Sequence, residues 1–402
     1  MANMDDSEIP LTDVLIEPSG RSAVRHSAIR REDVDGREII DALAGRASVL
    51  GFADPYVAEA IRQVANGYLG DASALDCDGH DLAPLAEKIR SMLSSETEGV
   101  SAMAESVWIY PSAEDAMEAM IGGSRARGGG ARYRTLSLVG SDHGRTAMCR
   151  SASGRPELHA DFGPMLAGFD HVAANDIASL RSAVDESTAA VLLSPLDLCD
   201  AARPRDHDYL AAVRQLCDEH DLLLLIDESR LCIGSSGRLL TYTSISDIVA
   251  DAVVVSGGLF GGLPGGLLLA GPRWTDSPVA NTRLYPLQTA VATATLERVA
   301  ELGWLEASGE DTSAFPVAVA ETIAGFEFIR DLHATGTTVG IETDLAAIDL
   351  VQAAASVGLR IEAAGETSIK MQLPLGMDAD DREELLARLT RTMSAMELIT
   401  EN

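Results

Sequence analysis

Between residues 105 and 270, five short and almost wholly apolar runs recur: Ser106 to Tyr110, Thr135 to Val139, Ala189 to Leu193, Leu222 to Ile226 and Ala252 to Val255. Helical patterns separate them, over about 113–125, 175–184 and 207–220, with a short piece near 243–249. A strand that is apolar on both faces must be covered on both faces, and strands that alternate with helices pair in parallel through crossovers. The pattern therefore predicts an α/β chain built on a mostly parallel central sheet covered by helices. In such sheets ligands bind beyond the carboxyl ends of the strands, so the polar residues just after each run are the ones to weigh.

The flanking segments differ. Residues 1–20 read as an irregular arm, and Asp33 to Arg37 reads as a turn in which Asp-Gly supplies the positive φ. Ile39 to Leu43 is a short apolar run. Pro55 opens an amphipathic helix through Ala65, and Leu82 to Leu93 is a second helix. Past Pro286 come a long helix (Leu287 to Leu302), a helical stretch from Asp311 to Ile329, and then short elements: Gly336 to Glu342, Leu345 to Ala355, Leu359 to Glu362, Lys370 to Leu373 and Ala379 to Met396. That mixture predicts a smaller α+β domain. The 402 residues then divide into 1–50 (arm and part of the small domain), 51–286 (large domain) and 287–402 (C-terminal small domain).

One stretch stands apart, Asp251 to Gly271. It holds seven glycines and one proline, and each glycine costs a helix interior roughly 0.5–1 kcal/mol relative to alanine. The stretch reads as strand, loop and second apolar run. Backbone so unencumbered lets another strand, a subunit or a ligand approach closely.

Bulk charge removes several classes of function. Against 31 basic residues stand 62 acidic ones, a net charge of −31, the wrong sign for nucleic acid or an anionic membrane surface. Lys88 and Lys370 are the only lysines. The five cysteines (Cys77, Cys149, Cys199, Cys217, Cys232) lack CxxC spacing, which points to buried thiols in a reducing compartment. The N-terminus has no apolar signal-like run, and the uncharged stretch 252–271 is broken by glycines and Pro264, so a cytoplasmic protein is expected.

After the first strand comes Pro111-Ser112-Ala113, a helix start that caps itself or offers N–H groups to a phosphate. Gly140-Ser141-Asp142-His143-Gly144-Arg145 follows the second strand. Asp227-Glu228-Ser229-Arg230 follows the fourth, where a buried carboxylate requires a cationic or N–H partner. Asp206-His207-Asp208 looks like a metal cluster but sits at a helix start and reads as a cap; no metal site is expected. Gly122 to Gly130 reads as a flexible basic loop.

Together these segments resemble the class III aminotransferases of fold type I, most nearly the acetylornithine and ornithine aminotransferases. The residues that carry the likeness are Asp33 to Arg37 with Ala42 to Gly45, His143 to Thr146 through Phe162-Gly163-Pro164 and Gly168-Phe169, Leu216 to His220 into Asp227-Glu228, Gly234 with Gly237-Arg238, and Gly261-Gly262-Leu263-Pro264. The resemblance implies a pyridoxal phosphate site. In that family a Ser-Gly-Ala turn holds the phosphate, an aromatic stacks on the ring, an Asp pairs with the pyridine nitrogen, and a lysine at the start of the glycine-rich loop forms the Schiff base. Matched by position, Asp227, His143 and Ser112 are kept. Ala113 replaces the Gly of the phosphate turn and Asp142 the stacking aromatic. Ser194 stands for the active-site Glu, Arg230 for a Gln, Asn281 or Thr282 for a phosphate-binding Thr, and Lys370 for the Arg that grips the substrate carboxylate. Gly257 stands for the Schiff-base lysine, and no lysine lies between 88 and 370.

The expectation is an acetylornithine-aminotransferase-like chain without ordinary transaminase activity: a repurposed homologue, homodimeric, that binds a small amino-acid-like ligand or partners an active aminotransferase paralogue. The alternative is an active enzyme with pyridoxal phosphate held non-covalently and His143 as base.

Overall fold

The computed structural model describes residues 27–67, 82–95, 99–274 and 285–400. At its centre is a seven-stranded sheet: β1 (Ser106–Tyr110), β2 (Arg134–Leu138), β3 (Phe169–Val172), β4 (Thr188–Leu193), β5 (Leu223–Glu228), β6 (Ala252–Val255) and β7 (Gly266–Ala270). Its spatial order is β1-β7-β6-β5-β4-β2-β3. The pairs among β2 to β6 are parallel, and β7 runs antiparallel to both β6 and β1. Every residue of β4, β5 and β6 is buried, as their unbroken apolar pattern requires. The period of two divides them between faces. Val191, Leu193, Leu224, Ile226, Val253 and Val255 enter one core, and Ala190, Leu192, Leu223, Leu225, Ala252 and Val254 the other. Each fully buried aliphatic side chain contributes about 1.5–3 kcal/mol relative to exposure.

Helices α1 (Ala113–Arg127) and α2 (His207–Glu219) pack against the sheet, and α3 (Pro286–Glu301) buries Val291, Leu296 and Val299 in the first of those cores. A separate core joins Ile29, Ile40 and Ala42 to residues between Phe315 and Met396. It is built on an antiparallel sheet of β8 (Ile329–Thr335), β9 (Thr338–Thr343), β10 (Glu362–Ala363) and β11 (Ser368–Gln372), ordered β8-β9-β11-β10, with α4 (Trp304–Ile323), α5 (Ala347–Ser356) and α6 (Ala379–Thr400). The Asp-Gly turn forms as expected between the paired strands Arg30–Glu32 and Glu38–Asp41, with Gly36 at φ 75°.

Several local expectations change. Strand β3 does not stand out in the sequence because it is an edge strand carrying Asp170 and His171, three of its four residues being partly or fully exposed. The helix expected over 311–329 begins at Trp304 and ends at Ile323, and the chain then turns into β8. Gly122 to Arg127 is not a loop: α1 continues to Arg127 because Gly123 and Ser124 are buried and the Arg125 guanidinium lies 4.3 Å over the Phe169 ring. Asp206 occupies the cap position of α2, but its side chain makes no capping hydrogen bond. Among the described cysteines, Cys149, Cys217 and Cys232 are buried and Cys199 is partly exposed. Among the described residues no helix is long and apolar enough to cross a membrane.

Just before β6, buried Asp251 ties the sheet to its covering helix. Its Oδ2 accepts the Leu224 amide at 2.7 Å and faces the Arg214 guanidinium of α2 at 2.9 Å. Removing one member of such a buried pair strands the other charge. Asp251→Ala is expected to lower the stability measured by urea unfolding by about 3–5 kcal/mol.

Candidate active site

Strand β5 delivers Asp227 to its carboxyl end, where the side chain is buried. Both oxygens are engaged. Oδ2 lies 2.7 Å from His143 Nδ1, and Oδ1 accepts the Ser229 amide at 2.9 Å and the Ser229 hydroxyl at 2.6 Å. Burial alone pushes the Asp227 carboxyl up, but the His143 and Ser229 hydrogen bonds outweigh it and hold the group below the usual carboxylate range. His143 is anchored through its backbone N–H, which donates to Ser153 Oγ at 2.9 Å. Its Nε2 is buried and meets no hydrogen-bond partner among the described residues.

Next to this dyad, Arg230 reaches back to Asp142. Its Nη1 donates to the Asp142 carbonyl at 3.0 Å and lies 2.7 Å from the Asp142 carboxylate. Desolvation would lower the Arg230 pKa, yet the Asp142 charge raises it above the ordinary value. Asp142, Ser194, Cys199, Arg205, Asp227 and Arg230 are among the residues that line a small void of about 20 Å³. That is room for one water molecule. Arg205 is itself paired with Asp197 at 3.0 Å.

The other candidate positions lie outside this void. Ser112 caps α1: its Oγ accepts the Asp115 amide at 3.1 Å and donates to the Asp115 carboxylate at 2.7 Å, and Ala113 is the first helical residue. Lys370, on β11, is buried; its Nζ donates to the Leu198 carbonyl at 2.7 Å and lies 3.3 Å from Glu362, which also holds Arg46 at 2.6 Å. Burial lowers the Lys370 pKa against the attraction of Glu362. Asn281 and Thr282 fall outside the described residues.

Gly257 follows β6, and segment 229–233 is wrapped against it. Its N–H donates to the Ser229 carbonyl at 3.1 Å, and its carbonyl accepts from the Ile233 N–H at 2.9 Å. A Cβ at this position would fall well inside contact with the Leu231 carbonyl oxygen and 2.8 Å from its carbon. The rest of the loop packs on the N-terminal segment: Gly258 N–H donates to Arg46, Val49 N–H to Gly258, and Gly262 N–H to Ala47. Gly258, Gly261 and Gly262 all have positive φ. The close approach that the glycines allow is thus made by the chain's own backbone.

The structure therefore gathers Asp142, His143, Ser194, Asp227 and Arg230 at one place. Sequence reasoning missed Ser229, whose signal is its position two residues after a buried acid (the spacing of a side chain turn,), and the Asp197–Arg205 pair, which has no local signature.

The fold and this arrangement can now be set beside known proteins. The family model for class III aminotransferases matches residues 19–393. The chain belongs to the class III aminotransferases. Among its relatives are the acetylornithine aminotransferase of Agrobacterium fabrum, 29% identical over 90% of both chains, and acetylornithine aminotransferase 1 of Bordetella bronchiseptica, 30% identical over 88% of this chain and 90% of the other. The N-acetylornithine aminotransferase of Stenotrophomonas maltophilia superposes with a TM-score of 0.74 at 26% identity, covering 94% of this chain and 98% of that one. The ornithine aminotransferase of Toxoplasma gondii shares the fold at a TM-score of 0.80 and 19% identity, over 94% and 92% of the two chains.

Class III aminotransferases depend on pyridoxal phosphate, so the residues of this class III chain can be tested against that group. Asp227 fits the role of pairing with a ring nitrogen. The rest fits less well: Asp142, at the position the resemblance gives to the stacking aromatic, is paired with Arg230 instead. Gly257 has neither an amine nor space for a side chain.

Beside Asp227, Glu228 is fully buried and accepts the amides of Thr241 and Tyr242 at 2.8 and 2.7 Å. Burial pushes its carboxyl up to about 7, the two amides opposing the shift only in part. The folded state thus binds this proton more tightly than the unfolded state, whose value is the ordinary 4.5. The stability it contributes is full below that value and is lost as pH rises toward 7. As pH rises from 5 to 8, this group alone is expected to lower wild-type stability by about 2–3 kcal/mol, read by urea unfolding at each pH.

Proposed function

We propose that this class III aminotransferase chain does not carry out lysine-dependent transamination and that its former cofactor cleft now serves as a locked structural centre. The observation that carries this reading is the backbone closure at Gly257, where segment 229–233 occupies the space a Schiff-base lysine needs to leave the loop. A second feature supports it: the Asp142–Arg230 ion pair beside Asp227. On this reading the chain is a cytoplasmic homodimer that keeps the scaffold of its relatives and either binds a small amino-acid-like ligand or partners an active aminotransferase. The likeness to acetylornithine aminotransferases supports an aminotransferase as that partner.

One observation favours a second reading, an enzyme in which His143 acts as base. Its Nε2 is buried without a partner, and Asp227 on Nδ1 would hold the ring so that Nε2 can accept a proton. The two readings separate cleanly. If purified protein turns over acetylornithine with 2-oxoglutarate and His143→Ala abolishes that turnover, the second reading stands and the first fails.

The first reading makes a sharper demand on position 257. Gly257→Ala is expected to cost about 1–3 kcal/mol in urea unfolding, because the added methyl meets backbone rather than a movable side chain. Gly257→Lys is expected to be destabilised similarly and to give no absorbance band or borohydride-trapped adduct at the introduced lysine when pyridoxal phosphate is added. A trapped adduct there, with stability unchanged, would overturn the proposal.

A further inference from the structure

Between the cleft and the four-stranded sheet of β8 to β11 lies a short hairpin whose tip is held in an uncommon backbone conformation. Its arms, Leu196–Asp197 and Arg203–Pro204, pair antiparallel. At the tip, Ala201 and Ala202 follow one another with φ of 47° and 50°. In that left-handed region Cβ crowds the following carbonyl oxygen, and residues other than glycine rarely adopt it. Two such residues in succession persist only where their surroundings over-determine them. Both alanines are buried.

The surroundings that hold the tip belong to the small sheet. Ala201 N–H donates at 3.0 Å to the carbonyl of Ala364, just beyond β10. The Ala201 carbonyl lies over Gly340 of β9, where a Cβ would fall well inside contact with it. Lys370 Nζ, from β11, donates to the Leu198 carbonyl at 2.7 Å. Arg203 pairs with Glu342 of β9, which also lies 2.8 Å from His333 Nε2 of β8. On its other side the hairpin faces the cleft. Leu196, Leu198 and Ala202 pack with Leu231 in one apolar cluster, and the Leu231 carbonyl is the group that closes on Gly257.

A strained turn gripped from one side and packed against the closing segment on the other has one mechanical role. We propose that the tip, Leu198 to Ala202, is a sprung latch: the small sheet holds its alanines left-handed, and the held tip keeps Leu231 seated against Gly257. Letting go returns both alanines to ordinary backbone and frees segment 229–233. The event that trips the latch is a shift of the small sheet away from the hairpin, since Ala364, Gly340, Lys370 and Glu342 all lie on that sheet or the turn beyond it. The inference rests on the reading of a closed centre at Gly257, yet the two fail separately. An adduct trapped at Gly257→Lys tests the closure, and amide exchange at the tip tests the latch.

The experiment is hydrogen exchange of the full chain, read by mass spectrometry on peptides spanning 198–203 and 229–233, with β4 and β5 as internal reference. In the wild-type chain the tip amides are expected to exchange through an opening that leaves β4 and β5 protected. The double variant Ala201→Gly with Ala202→Gly takes the same φ values without penalty, and is expected to slow exchange in both peptides about tenfold. Gly340→Ala sets a methyl against the Ala201 carbonyl, and is expected to speed exchange in both about tenfold. Three results would each overturn the proposal: tip exchange that occurs only with global unfolding, an unchanged or faster rate in the double glycine variant, or a tip that responds while 229–233 does not. The first is read on the wild-type chain, so the outcome does not depend on either variant folding.

Discussion

The contact between Gly257 and the backbone of residues 229–233 is the constraint around which the centre of this molecule is arranged. Two hydrogen bonds, to Ser229 and from Ile233, clamp the glycine from both sides. The same short segment begins with Ser229, which holds Asp227, and carries Arg230, which holds Asp142. Moving the Leu231 carbonyl away to admit a side chain at 257 would displace the partners of both acids, buried Asp227 and half-buried Asp142. The absence of a lysine is therefore tied to the geometry of three neighbouring residues rather than to one substitution.

The electrostatics follow from that arrangement. Asp227 remains ionised at a fully buried position only because His143 and Ser229 face it. Asp142 stands one residue before His143 and is balanced by Arg230. Two adjacent acid–base pairs thus balance one another's charge, which matters because unpaired buried charge is far costlier than paired charge. Lys370 obeys the same logic: Glu362 and the Leu198 carbonyl take up its ammonium, and it contributes to docking the small sheet rather than to the void.

Much of the architecture was legible because its signals are local. Apolar runs without alternation foretold β4, β5 and β6, and the clustered glycines foretold close approach by backbone. What remained hidden depends on contacts distant in sequence. Strand β3 is polar because it lies at the sheet edge, and α1 runs through Gly122 and Gly123 because Phe169 and the sheet support it. The identity of what approaches the glycine loop was equally beyond local reading: Ala47 and Val49 come from the N-terminal segment, and Leu231 from the far side of β5. At the site, the buried carboxylate of Asp227 announced that it needed partners, and His143 was visible as a candidate, but nothing local in the sequence joined residues 84 apart into one hydrogen bond. The Asp142–Arg230 pair was hidden for the same reason, and it turns Asp142 from the residue in place of the stacking aromatic into half of an ion pair.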